Sequence, residues 1–173
     1  AGRQSDREDE HNVSLSKGFY LGKYEVTQAQ YEAVTGTNPS EFNATGNGNR
    51  PVEKVNWTEG VAFCNLLTNQ EQAAGRLPAG WAYVLPTESQ WEYACRAGTT
   101  TAYSWGTTIA SSNANWNHGA DTNQTVDVGQ FSANPWGFFD MHGNVWEWTA
   151  DWYQAAYPTG NPVVDPIGPA SGS

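Results

Sequence analysis

Between Gly137 and Trp152 the chain reads G-F-F-D-M-H-G-N-V-W-E-W-T-A-D-W, setting the oxygen donors of Asp140, Asn144, Glu147 and Asp151 among the indoles of Trp146, Trp148 and Trp152. A segment built only for a core gathers apolar residues on one face and acids on the other. Here Asp140 and Glu147 bracket the Gly143-Asn144 turn, so carboxylates and main-chain carbonyls can converge while the indoles exclude water. Calcium takes such a cage, of about six to eight oxygens from carboxylates, amides and carbonyls. The competing reading is a tight acidic turn between two Trp-rich core strands, with the carboxylates bonded to backbone amides.

A second oxygen-rich run, from Ser111 to Thr125, offers Asn115, Asp121 and the carbonyl of Trp116 for another cation loop. A flexible polar loop fits the same spacing. Nucleophilic catalysis finds no footing: His11, His118 and His142 sit in unrelated polar contexts, and no Ser or Cys lies in a nucleophile elbow. Cys64 and Cys95 form no C-x-x-C and no Cys/His cluster. Both fall on predicted helices, as buried thiols or disulfide halves, because an acidic chain gives a reactive thiolate no electropositive setting. Pairing with each other, pairing outside the chain and staying reduced all remain open. Glu53, Glu88 and Glu92 share no spacing logic, and Glu88 suits the dipole of its helix.

The elements that must position these donors are few. Val13 to Val26 alternates around Lys17-Gly18 as a β-hairpin or bent strand pair. Thr27 and Gln30 form a capping box for a helix with Tyr31 and Val34 inward, which Gly36 ends. A turn-rich loop covers 37–50. The spacing predicts a second helix over 59–73, capped by Thr58, with Ala62, Cys64, Leu66 and Leu67 as its apolar positions and Gly75 as its stop. A short strand is expected over 81–85. Thr87 and Gln90 then cap a third helix, with Trp91, Ala94 and Cys95 on one face and Gly98 at its end. From Thr99 to Asn134 almost nothing is periodic, so bound cations, disulfides or buried aromatics must hold that stretch.

Composition narrows the function classes. The chain has 173 residues, enough for one domain with a core. Residues 1–11 are expected to be loose and 158–173 to form a Pro/Gly-rich tail. Eight basic against eighteen acidic residues give a charge of -10, which argues against nucleic acid as a partner. Nine Trp and eight Tyr beside eighteen Gly describe rigid rings between many turns. Polarity carried by Asn, Gln, Ser and Thr more than by charge gives an extracytoplasmic look. No apolar run of membrane-spanning length occurs, and the start lacks Met and a signal-like segment, as in a processed or partial product.

Four motifs then resemble a known family. They are G-F-Y-L-G-K-Y-E-V-T-Q-A-Q-Y at 18–31, R-P-V-E-K-V-N-W at 50–57, L-P-T-E-S-Q-W-E-Y-A-C-R-A-G at 85–98 and N-P-W-G-F-F-D-M-H-G-N-V-W-E-W at 134–148. In this order they resemble the formylglycine-generating enzymes, or sulfatase-modifying factors. The resemblance implies an α+β fold, the family's variant of the C-type-lectin-like fold, with a few short helices and short antiparallel strands. It implies structural Ca²⁺ held by Asp140, the carbonyls of Gly143 and Val145, and Glu147; a second family site maps less cleanly onto Asn115, Trp116 and Asp121. These assignments favour the cage over the plain turn.

Catalytic family members oxidise a sulfatase cysteine to formylglycine with O₂ and a copper ion on two cysteines. That cysteine pair lies in a C-terminal part that the resemblance places beyond Ser173, together with the usual disulfide partners of Cys64 and Cys95. The family's opening strand is missing too, so the chain resembles a domain clipped at both ends. The wording is also similar to the large bacterial branch, often without the copper cysteines. The expectation is a calcium-binding, non-catalytic module, with no catalytic residue in this chain, that meets a protein or glycan partner. The alternative is part of a copper-dependent oxidase acting on a sulfatase peptide, its cysteines outside this chain.

Overall fold

The computed structural model describes residues 11–116, 124–153 and 162–172. Regular structure is sparse: β1 (Val13–Ser14), α1 (Gln28–Thr35), a 3-10 turn (Asn47–Asn49), α2 (Trp57–Ala73), α3 (Glu88–Arg96) and β2 (Val163–Val164). Each α-helix begins with a capping box, in which a side chain takes the third helical amide and the third side chain reaches back. Thr27 with Gln30 starts α1 and Thr87 with Gln90 starts α3, as expected. The start of α2 differs: Asn56 is the cap, its Oδ1 accepting from the Glu59 amide at 3.0 Å, so the helix opens two residues before the expected 59. Asn caps at least as well as Thr, and the Glu three residues on selects Asn56 over Thr58.

Gly36 ends α1 at φ 79°, a left-handed position that glycine takes without strain. Tyr31 of α1 stacks on Phe63 of α2, centroids 5.3 Å apart and planes at 10°. Phe63 is thus the buried residue of α2, whereas the expected Ala62 and Leu66 are exposed. Ala94 and Cys95 of α3 are buried, with Trp91 partly so.

The hairpin expected over 13–26 does not form. β1 pairs in parallel with β2 instead, Val13 opposite Val163 and Ser14 opposite Val164, and the Ser16 amide donates to Asp165 Oδ1 at 2.7 Å. Alternation marks a strand but names no partner, and this partner lies far along the chain. The strand expected over 81–85 is also absent. Polar side chains of α2 hold that segment in extended form: Tyr83 N–H donates to Thr68 Oγ1 at 2.9 Å and Gln72 Nε2 donates to the Trp81 carbonyl at 3.2 Å.

The Trp-rich segment is strapped across the starts of two helices. Trp57 Nε1 donates to Thr149 O at 2.9 Å, Trp148 Nε1 to Val55 O at 2.8 Å and the Ala150 amide to Pro86 O at 2.8 Å. Asp151 Oδ2 accepts the Glu88 amide at 2.6 Å, placing a carboxylate at the positive end of α3. Among the described residues no helix is long and apolar enough to cross a membrane.

Candidate metal centre

The candidate donors sit on one turn. The Gly143 amide donates to the Asp140 carbonyl at 3.1 Å, and both Asp140 (φ 60°) and Asn144 (φ 70°) adopt the left-handed backbone that Asp and Asn tolerate best after glycine. Gly143 is required by contact: a Cβ there would lie 2.7 Å from the carbonyl oxygen of Asn115. That carbonyl accepts the Asn144 amide at 2.9 Å, pinning the turn to the second oxygen-rich loop.

Asn144 organises the surroundings from a buried position. Its Oδ1 accepts the Val126 amide at 3.0 Å, and its Nδ2 donates to Val126 O at 3.2 Å and to Glu25 Oε2 at 2.8 Å. Glu25 Oε1 takes the Val145 amide at 3.2 Å. Asp140 Oδ2 accepts the Gly129 amide at 2.6 Å, while its Oδ1 is buried with no hydrogen-bond partner among the described residues.

The turn and cage readings therefore meet here: one carboxylate oxygen serves the backbone and the other is left over. A buried, unpartnered carboxylate oxygen costs roughly 1–3 kcal/mol or more unless something neutralises it.

Electrostatics points the same way. Burial pushes the Glu25 carboxyl up to about 9, with the charges of Glu147 and Asp140 adding to it. Asp140 is raised by burial, and Glu147 by burial and then by Asp140. Glu147 is exposed as a residue, while the dense chain around its carboxyl raises its pKa. The indole N–H of Trp91 partly offsets the Glu147 shift but falls short of a hydrogen bond. Three carboxylates that oppose one another's ionisation are what a divalent cation relieves. Among the described residues no three His, Cys, Asp or Glu side chains gather closely enough to hold a metal unaided. The carbonyls of Gly143 and Val145 would have to complete the set.

Glu25 is the residue that the sequence reading missed. Its signal was an acid inside the apolar run Tyr24-Glu25-Val26, directly before a helix cap. Asn115 belongs to this same centre: its Nδ2 donates to Gln124 O at 3.0 Å and to Asn144 Oδ1 at 3.4 Å. Trp116 is exposed, and Asp121 lies outside the described residues.

Residues 1–166 match the family profile described as the sulfatase-modifying factor enzyme 1-like domain. The chain belongs to this family. It is 34% identical over 188 aligned positions to the chaperone protein LppX of Paenibacillus barcinonensis, covering 82% of this chain and 65% of that protein. It is 33% identical over 144 positions to the formylglycine-generating enzyme of Streptomyces coelicolor, covering 75% of this chain but 41% of the enzyme. Among solved structures, Treponema denticola variable protein 1 superposes with a TM-score of 0.81 at 31% identity, covering 99% of this chain and 76% of that one. The fold is the formylglycine-generating-enzyme type of C-type-lectin-like fold, α+β with little regular structure.

In this sulfatase-modifying-factor domain neither cysteine is set up as a nucleophile. Cys64 and Cys95 are not bonded to each other. Cys95 Sγ lies 3.5 Å from Met141 O and 3.7 Å from His142 Nε2, which also accepts the Ser104 amide at 3.2 Å. Burial, then the charges of Glu147 and Glu92, push the Cys95 thiol up to about 12, and burial lowers His142. A reactive pair needs the opposite shifts, thiol down and imidazole up.

Proposed function

We propose that this chain is a calcium-stabilised, non-catalytic binding module of the formylglycine-generating-enzyme-like family. Asp140, Glu147 and the carbonyls of Gly143 and Val145 would hold the ion, with Glu25 as the neighbouring carboxylate whose ionisation it makes favourable. The ion supplies positive charge where three acids crowd, and the chain supplies the turn and the hydrogen bonds that fix Asn144; the indoles of Trp146, Trp148 and Trp152 are exposed and do not form the expected shield against water. The observation that carries this reading is the buried, unpartnered Oδ1 of Asp140 beside two further acids whose pKa values are raised. A mixed set of carboxylates and carbonyls suits calcium better than magnesium, which demands a near-ideal octahedron. Calcium sites of extracellular modules are weak, at about 0.1–1 mM, so the reading is consistent with an extracytoplasmic setting.

The partner surface lies beside the centre. Trp146 is fully exposed and Trp148 and Trp152 are about half exposed, on a segment fixed to α2 and α3. Exposed indoles on a rigid support are what protein or glycan partners are held by.

Isothermal titration of the chain with calcium tests the metal. Heat of binding is expected for the native chain, with affinity lost in Glu147→Gln; no heat, or equal affinity in the variant, rejects it. A second reading, part of a copper-dependent oxidase acting on a sulfatase peptide, draws on the Streptomyces coelicolor enzyme, of which this chain spans 41%. Its cysteines and copper would lie outside these residues. Incubating the full-length protein with copper and a cysteine-containing sulfatase peptide decides it, since an unchanged peptide mass eliminates that activity.

A further inference from the structure

We propose that the cleft beside Trp105 binds a neutral pyranose of a saccharide chain. The cleft encloses about 370 Å³ and is lined, among the described residues, by Ser104, Trp105, Ser112, Asn113, Ser132 and Asn134, with Ala133 and Pro135 at one side. Ligand pockets run from about 300 to 1,000 Å³, so it takes one small cyclic unit.

Trp105 is a preorganised platform. One face stacks on Tyr103, 5.4 Å between centroids with planes at 6°, and its edge meets His142 at 4.7 Å and 78°. Its indole N–H donates to Thr108 O at 2.9 Å, so the ring cannot turn to seek another acceptor. It nevertheless remains 38% exposed and lines the cleft. A fixed, electron-rich indole face packs well against the C–H face of a sugar ring, and a locked ring loses little entropy on binding.

The polar lining matches sugar hydroxyls. The hydroxyls of Ser104, Ser112 and Ser132 and the Nδ2 of Asn113 carry no hydrogen bond within the described residues, although the Asn113 Oδ1 is held by the Ala110 amide at 3.0 Å. Each serine hydroxyl both donates and accepts, as each sugar hydroxyl does. Asn134 is by contrast a fixed wall: its Nδ2 donates to Ala94 O and its Oδ1 accepts from Trp136 and Phe138. No charged side chain lines the cleft among the described residues, in a chain of net charge -10. An ionic ligand finds no counter-charge there, and an apolar one would strip water from unpaired hydroxyls. A neutral, polyhydroxylated ring meets both conditions. The cleft adjoins the cation centre, since Ser104, Trp105, Asn113 and Asn134 also line a small cavity with Asp140, but sugar binding here requires no bound cation.

The test titrates the full chain with cellotetraose, maltotetraose, α-1,6-mannotriose and N,N′,N″-triacetylchitotriose, read by calorimetry and by saturation-transfer NMR. At least one is expected to bind, and Trp105→Ala to weaken it about tenfold or more. Because Trp105 also packs on its neighbours, Ser132→Glu is the companion variant: its side chain is exposed and unbonded, so the thermal transition should hold while affinity falls about tenfold. Absence of binding by all four sugars overturns the proposal, as does unchanged affinity in Ser132→Glu. Equal binding of a heparin tetrasaccharide overturns the neutrality of the ligand.

Discussion

Within α1, α2 and α3 the bonds that define structure close over three or four residues, starting from the boxes Thr27 with Gln30, Asn56 with Glu59 and Thr87 with Gln90. Around the Asp140–Glu147 turn they close over tens of residues: Asn144 reaches Val126 and Glu25, Gly143 rests on Asn115, and Asp140 takes the Gly129 amide. The first region stabilises itself one turn at a time. In the second, each buried polar group relies on a partner contributed from elsewhere, and the carboxylates there repel one another. Stability in the loop region should therefore respond steeply to single side chains, to pH and to cations, whereas the helices should respond weakly to all three.

Asn144→Ala is expected to break that contrast open most widely. It removes four hydrogen bonds, strands the Val126 amide and Glu25, and puts Ala at φ 70°, for a loss of about 3–5 kcal/mol in urea unfolding. A loss below about 1 kcal/mol, as for a surface residue, would show that the network is not what holds the loop.

The pH response follows from Glu25. Its folded pKa of about 9 lies above the ordinary 4.5, so between those values the unfolded chain has released a proton that the folded chain still binds. Stability in chelator is thus fullest below pH 4.5 and falls as pH rises towards 9, by up to about 1.4 kcal/mol per pH unit. With calcium the slope should flatten, because the ion favours the ionised form. A level profile in chelator, from denaturant midpoints across this range, contradicts the carboxylate cluster.

At the small end, Thr87→Ala removes one capping bond from α3 and should cost about 1 kcal/mol with no change in calcium affinity. An altered affinity would mean that helix and loop are energetically one unit.

The same contrast explains what could be read from the sequence. The boxes of α1 and α3 and the glycine stop of α1 were legible because each is a pattern within a few residues; the proposed donors Asp140, Gly143, Val145 and Glu147 were named by the family resemblance and share one short stretch of chain. Even there, Asn56 and Thr58 compete as caps until Glu59 decides between them. The β1 to β2 pairing and the bond from Glu25 to Asn144 were not legible, because periodicity says which face is buried and never which distant segment covers it. Asp151, a candidate donor by composition, serves the Glu88 amide instead, a choice made by the docking of the Trp-rich segment on α3.

Thermal unfolding of the full chain in millimolar calcium and in excess chelator tests the central claim most directly. With calcium about 100-fold above its dissociation constant the native state gains about 2.7 kcal/mol, which for a domain of this size raises the transition by roughly 5–10 °C. The account predicts that rise for the native chain and little of it for Glu147→Gln. Superimposable transitions with and without calcium would contradict it.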